Sequence, residues 1–314
     1  MIYVNVSGNA GNQFFQYAFA RKIMLQFNDK LTLDMRYILS GDGIHKAENA
    51  LKYFHTVPFV ESLDGKYYPI QRFVCAFLRR ILPDMYTPNE PKRFSFLRKY
   101  KRFLSNIGLY FYDGSDYIDY GLNARRTKNI LIKGLWESDR YFNDIRDLLL
   151  DELTPKYPPR IENKELHKII NESESICVSV RKFNKQKLPN RFYTLDADYY
   201  YNGVKHIKKT YPEAKVFVFS DDIEWCRKNL FFGEDTFYES GSNPIWEIVR
   251  LMSSCKHFVI SNSTFSWWAQ YLSRNPGKIV VAPREWRRNE CVPIDIYEDN
   301  WVYLDEEGNL TNHV

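Results

Sequence analysis

The chain has 314 residues, 44% of them hydrophobic and 26% charged, with a net charge of +5. That length is a prior for two domains of about 100–200 residues each, and this much apolar mass excludes a disordered chain. Five cysteines, scattered at positions 75, 177, 226, 255 and 291 with no CxxC pair, exclude a disulfide scaffold and a structural zinc site. They read as reduced packing residues of a cytosolic protein. The opening Met1-Ile2-Tyr3-Val4-Asn5-Val6 is already strand-like, so no signal peptide is expected. No apolar run nears the roughly 20 residues of a membrane helix.

In chain order, strands are predicted at Ile2–Val6, Lys30–Met35, Ile130–Leu135, Ile176–Arg181, Val216–Ser220, Phe258–Ser261 and Ile279–Ala282. Several are continuous β-branched or aromatic runs, the mark of strands covered on both faces of a parallel sheet. Helices are predicted between them. Phe15, Phe19, Ile23 and Phe27 step along one face. Ile248, Leu251, Met252 and Cys255 do the same after an Asn243-Pro244 start, read as cap and first turn. The alternation predicts an α/β fold with parallel sheets. Three prolines within residues 155–159 mark a stiff boundary, giving domains 1–155 and 156–314.

The stretch 66–112 holds ten basic residues against two acids, leaving the rest of the chain mildly acidic. Its basic residues interleave with Phe73, Phe77, Phe94, Phe96 and Phe103, and no element is assigned to it. It reads either as a solvated basic face over an aromatic core or as a peripheral contact with an anionic membrane surface. A local patch of this kind, with no recognised module, argues against nucleic-acid binding.

Four turns after predicted strands carry ligand-type residues. Ser7-Gly8-Asn9-Ala10-Gly11-Asn12-Gln13 precedes a helix. Its glycines permit a tight turn and close approach of a ligand to the backbone, and the helix start offers free N–H groups. The alternative is a plain βα turn with Asn12 as the helix cap. Val178-Ser179-Val180-Arg181-Lys182 ends another strand. There a guanidinium can hold a phosphate bidentately or simply form a surface ion pair. Asp221 and Asp222 follow a third strand, where they either accept hydrogen bonds from a ligand or cap the next helix. Asn262-Ser263-Thr264-Phe265-Ser266-Trp267-Trp268 places hydroxyls in a first helical turn. That is a diphosphate site or an N-cap cluster above a tryptophan pair. No HExxH, P-loop or nucleophile elbow occurs, and the six histidines form no i, i+4 pair; no metal is expected.

Together these segments resemble the alpha-1,2-fucosyltransferases, chiefly the bacterial ones. Gly8 to Ala18 resembles that family's G-G-L-G-N-Q-M-F-Q-Y-A. Gly134-Leu135-Trp136-Glu137-Ser138-Asp139-Arg140-Tyr141-Phe142 resembles its G-Y-W-Q-S-E-K-Y-F. Phe219 to Trp225, Met252 to Trp268 and Ala282 to Trp286 resemble three further segments in the right order. The family's H-x-R-R-G-D stands here as Ser179-Val180-Arg181-Lys182-Phe183-Asn184, with only the first arginine kept.

The resemblance implies two Rossmann-like α/β domains facing across a cleft, of the GT-B type. It implies transfer of L-fucose from GDP-fucose to a galactose-type glycan hydroxyl, with inversion and without a metal cofactor. The second domain is expected to hold the donor through Ser179, Arg181, Asp221, Asp222, Asn262, Ser263, Thr264 and Phe265, with Gly11 of the first domain also on the donor. Arg181 is expected on the diphosphate and Asn12 at the reacting centre. No general base is identified; Glu137, where the family has Gln, is the candidate for that role on the acceptor side. The changes at Ser179 and Asn184 leave two alternatives open: a transferase using another deoxy-sugar nucleotide, and an impaired homologue that binds without turnover. A cytoplasmic enzyme, peripheral at the inner face of the membrane if 66–112 contacts lipid, is the expected location.

Overall fold

The computed structural model describes residues 1–39, 48–62, 68–81, 91–112, 116–121, 127–182, 193–288 and 294–312. The chain divides into two compact units. The first holds residues up to Leu153 and also takes back residues 294–297; the second starts at Thr154. The sequence reading had kept 294–297 with the second domain.

In the first unit, β1 (Ile2–Asn5), α1 (Ala10–Phe27), β2 (Leu31–Asp34), α2 (Arg36–Leu39) and β3 (Phe59–Ser62) precede α3 (Pro69–Ile81), α4 (Pro91–Asn106), β4 (Leu109–Phe111), β5 (Ile130–Lys133) and α5 (Arg146–Glu152). The sheet is parallel throughout, in the order β3-β2-β1-β5-β4. It departs from a plain doubly wound order because β5, not β4, lies beside β1. The strands β1, β2 and β5 are buried, as a sheet covered on both faces requires; β1 and β5 are largely apolar, and β2 alternates its leucines with Thr32 and Asp34. Phe15, Phe19 and Ile23 of α1 are buried as their spacing predicts, and Phe19 stacks on Trp136 at 3.8 Å.

The stretch 66–112 contributes α3 and α4. Their period is helical, but it does not sort apolar residues inward. Gln71, Cys75 and Leu78 face in, as do Arg93, Leu97 and Leu104. Ile70, Phe73, Phe77 and Phe103 face out. That inversion is why composition alone left the segment unassigned.

The second unit runs α6 (Lys164–Glu172), β6 (Ser175–Val180), α7 (Ala197–Lys208), β7 (Lys215–Ser220), α8 (Ile223–Asn229), β8 (Thr236–Tyr238), α9 (Ile245–Ser254), β9 (His257–Ile260), α10 (Thr264–Tyr271), β10 (Val280–Pro283), β11 (Val302–Leu304) and β12 (Leu310–Thr311). Its sheet order is β12-β11-β10-β9-β6-β7-β8, parallel except for β12. This is the doubly wound order, with its switch point between β6 and β9. Crevices at the carboxyl ends of such strands are where open α/β sheets bind ligands.

Two expected caps move. Asn9, not Asn12, occupies the N-cap of α1, and Pro244, not Asn243, that of α9. The Asn243 amide instead donates to Glu239 at 2.6 Å. Cys75, Cys177, Cys226 and Cys255 are free and buried; Cys291 lies outside the described residues.

Candidate functional site

At the switch point of the second unit, β6 and β9 end side by side, with Ser179 opposite Ile260. Arg181 leaves β6 and pairs with Asp221 at 3.0 Å, each side chain about a third exposed (30% and 31%). The other Asp221 oxygen accepts from the Lys182 backbone N–H at 2.8 Å, and the Lys182 ammonium lies 3.7 Å over the Trp225 ring. Asp222 turns away and caps α8, accepting from the Trp225 N–H at 3.0 Å. The two adjacent carboxylates therefore divide the roles: one positions Arg181 and the other ends a helix.

Beyond β9, Ser263 sits at the N-cap of α10 without spending its side chain on the cap. The intrahelical ladder starts with the Trp267 N–H on the Ser263 carbonyl at 2.9 Å, so the Thr264, Phe265 and Ser266 N–H groups precede it. Ser263, Thr264 and Phe265 are half-buried. This helix start therefore carries a positive dipole end, with the Phe265 and Ser266 N–H groups ahead of the ladder. Asn262 is buried. Its amide N–H₂ donates to the Tyr193 and Trp286 carbonyls at 3.1 and 3.3 Å, and its Oδ1 has no partner among the described residues.

Ser179 is not an open ligand contact. It is 5% exposed, and its hydroxyl meets that of Ser266 at 2.7 Å, which meets that of Ser261 at 3.1 Å. This serine chain fastens β6, β9 and α10 together beneath the site. Asn184 lies outside the described residues.

In the first unit, Gly8 (φ +73) lets the chain turn so tightly that a Cβ there would lie 2.2 Å from the Asn12 amide nitrogen. Asn12 thus folds back over the turn, with buried Gly11 beside it. Gln13 and Gln16, which the sequence reading passed over, hold the turn. Gln13 donates to the Gly8 and Glu48 carbonyls and accepts from the Ala50 N–H. Gln16 bridges Ser7 and the Gly134 carbonyl. The signal was available in two amides inside a buried aromatic helix row.

After β5, Glu137 is sealed at 2% exposure. Ser138, fully buried, donates to Asp295 Oδ2 at 2.5 Å, and Arg140 lies 3.5 Å from the other oxygen. Burial raises the Asp295 carboxyl above its ordinary value, opposed by the Ser138 hydrogen bond and the Arg140 charge. No motif in the sequence pointed to Asp295. A cavity of about 240 Å³ beside Arg140 is lined by Lys22, Tyr117, Asp119, Tyr120 and Tyr141 among others. Among the described residues, no cluster of three or more His, Cys, Asp or Glu could hold a metal ion.

The model of glycosyl transferase family 11 matches residues 1–305. The chain belongs to that family. Among relatives of this family 11 chain, an alpha-1,2-colitosyltransferase of Escherichia coli is 27% identical over 98% of this chain and 99% of its own. The Escherichia coli O-antigen biosynthesis glycosyltransferase WbnK is 34% identical over 35% of this chain and 37% of its own. Among solved structures, the NodZ alpha-1,6-fucosyltransferase co-crystallized with GDP aligns over 99% of this chain and 97% of its own. Its TM-score is 0.51 at 15% identity, a likeness of fold. The family 11 chain is thus a glycosyltransferase with the α/β fold of the GT-B type.

Proposed function

We propose that the protein transfers L-fucose from GDP-fucose to a hydroxyl of a galactose-type glycan, inverting the anomeric carbon to form an alpha-1,2 linkage. The observation that carries this reading is the switch point of the second sheet. Arg181 stands on one flank and the open first turn of α10 on the other. Donors fixed before the reaction stabilise charge as it develops on a leaving diphosphate, and neither needs a divalent ion. Asn262, buried beside that turn, holds the Tyr193 and Trp286 backbone carbonyls and so fixes the loop after β9. Asn12 and the Gly8 turn form the corresponding strand-end turn of the first unit, where positioning of the acceptor contributes by proximity.

A second reading is favoured by the full-length likeness to the colitosyltransferase: the same transfer with GDP-colitose, which lacks the 3-hydroxyl of fucose. Purified protein is to be incubated with GDP-fucose, GDP-colitose and GDP-mannose, each with a β-galactoside, and the linkage read by NMR. An alpha-1,2-fucoside is expected. A product from GDP-colitose alone moves the donor assignment, and hydrolysis or binding without transfer to any acceptor overturns the enzyme reading.

Peripheral membrane contact belongs to the same proposal. Among the described residues, no helix is long and apolar enough to cross a membrane. Ile70 (60% exposed), Phe73 (73%) and Phe77 (52%) line one flank of α3, and Phe103 (58%) stands on α4. Gln71 donates to the Ile107 carbonyl at 2.7 Å, which joins the start of α3 to the end of α4. Arg72 and Arg80 of α3 and Arg98, Lys99 and Arg102 of α4 are exposed as well. Phe73, Phe77 and Phe103 therefore share the exposed surface of these helices with basic residues rather than lying beneath them. Such a surface suits anionic headgroups, each cation contributing about 1 kcal/mol, with apolar side chains entering the acyl boundary. Flotation with phosphatidylglycerol vesicles at low salt is expected to carry the protein, and raised salt to release it. Recovery only in the soluble fraction overturns this contact.

A further inference from the structure

Within the first unit, α1 and the loops that follow β4 and β5 line an open cavity of about 240 Å³. The transfer leaves it unused. Among the described residues, neither Asn12 and the Gly8 turn nor any residue of the second unit lines it. Its volume lies below the roughly 300–1,000 Å³ of sites for drug-sized ligands, so it suits a single ring and not a nucleotide.

Its walls are aromatic and fixed. Phe19 stacks on the buried Trp136, and Tyr141 meets both edge-on at 5.2 and 5.0 Å. The Tyr141 hydroxyl accepts from the Ile118 N–H at 2.9 Å, and the Tyr120 hydroxyl bonds the Phe111 carbonyl. These two phenols tie residues 118–120 to β4 and to the loop after β5. Tyr117 is half-buried, with the Arg140 guanidinium 4.1 Å over its ring. Asp295, 3.5 Å from Arg140, steadies that guanidinium. The charges of the lining cancel. Lys22 pairs with Asp144, and Arg140 and Asp119 complete a set of two cations and two carboxylates among the described residues. A ligand with a net charge gains little from such a field, whereas hydroxyls find donors and acceptors together. The polarised C–H groups of a sugar ring suit the electron-rich faces of aromatic rings. Rings and ion pairs already held in place keep the ordering cost of binding low.

We propose that this cavity is a saccharide-binding site that takes one neutral sugar ring and works independently of the nucleotide. Tyr117 supplies an aromatic wall for the C–H groups of the ring. Lys22 and Arg140 donate to sugar hydroxyls, and Asp119 and Asp144 accept from them. The site goes beyond the transfer reading, since binding here requires neither donor nor reaction. Its consequence for a glycan is a second hold, away from any hydroxyl that reacts.

The test uses the full chain without nucleotide, with methyl β-galactoside and methyl β-glucoside as probes, read by saturation-transfer difference NMR. Saturable binding of at least one hexoside is expected, with a Kd of about a few millimolar, and saturating GDP should leave it in place. Tyr117→Ala is expected to weaken it about fivefold or more, with the thermal transition and the GDP affinity by calorimetry unchanged. Asp144→Asn leaves one cation in excess, so that variant should prefer the galacturonide to the galactoside, while the parent chain binds the two alike. If Tyr117→Ala unfolds, this charge preference decides the question. No saturable binding of either hexoside, an affinity unmoved in Tyr117→Ala, displacement by GDP, or no gain for the galacturonide in Asp144→Asn overturns the assignment. A chain that binds the hexoside through Tyr117 yet transfers from none of the GDP-sugars keeps this site and loses the transferase reading alone.

Discussion

Arg181 answers to two partners. Asp221 holds its guanidinium at 3.0 Å, which sets its direction before a diphosphate arrives and lowers the ordering cost on binding. Truncating one member of a charged, hydrogen-bonded contact costs about 2–5 kcal/mol when buried, and Arg181 is partly exposed. Arg181→Ala is therefore expected to weaken GDP binding by about 30-fold in calorimetry, with transfer lost; Arg181→Lys recovers part, since an ammonium lacks the planar fork. Ser179 leads to the opposite expectation. Restoring the family's histidine there would push an imidazole into the Ser179-Ser266-Ser261 chain. Overpacking of this kind costs about 1–3 kcal/mol. Ser179→His is thus expected to lower the melting temperature by several degrees without raising activity, as differential scanning fluorimetry reads directly. For Arg181 the sequence left a phosphate ligand and an ion pair both open; the ion pair is formed, with Asp221, a partner 40 positions away that no local pattern names. The sealed state of Ser179 was not legible, since the hydroxyl that meets its own, Ser266, lies 87 positions away.

At the scale of elements, the loop after β5 depends on one backbone conformation. Gly134 has φ +126, and a Cβ there would come within 2.1 Å of the Tyr112 carbonyl oxygen. Gly134→Ala must displace either β4 or the 134–138 loop, so it is expected to destabilise by about 2 kcal/mol or more. The midpoint of chemical denaturation measures it. The strands that carry ligand turns, β1, β5, β6, β7 and β9, could be read from their apolar runs. The short β4, β8, β11 and β12 could not: two or three residues hold too little pattern to distinguish a strand from a loop; β3 is longer but largely exposed and carries Glu61 and Ser62, so it has no apolar run. The helices α3 and α4 escaped for another reason. Their period is regular, but exposed phenylalanines and the buried Arg93 break the rule that apolar residues mark the inner face. The Asp34 cluster was also invisible. Arg36, two residues on, and Tyr68, 34 residues on, both donate to that buried carboxylate, and no local motif spans the gap to Tyr68.

For the molecule as a whole, acidity is a global variable. Burial holds the His257 imidazole below its ordinary range, although Glu174 opposes the shift. His167 and His206 are lowered in the same direction by burial. An unfolded chain binds these protons near pH 6.5 while the folded chain does not, so the stability they contribute is present above that pH and lost as pH falls below it. Asp295, raised by burial, works the other way at lower pH. The melting temperature is expected to drop between pH 7.5 and 5.5, and His257→Gln should flatten that slope. With the donor contacts proposed, Arg181 and the first turn of α10, metal removal is expected to leave the reaction untouched; an assay in EDTA with and without added magnesium checks this. The return of residues 294–297 to the first unit also bears on how such genes can recombine. A crossover at the proline segment near residue 155 exchanges the second half as one block, but it carries residues 294–297, which pack in the first unit. In a chimera built at that junction, Asp295 of one parent must find its Ser138 contact in the sheet of the other. Such hybrids are expected to melt below either parent, and a graft that moves 294–297 back should restore the transition.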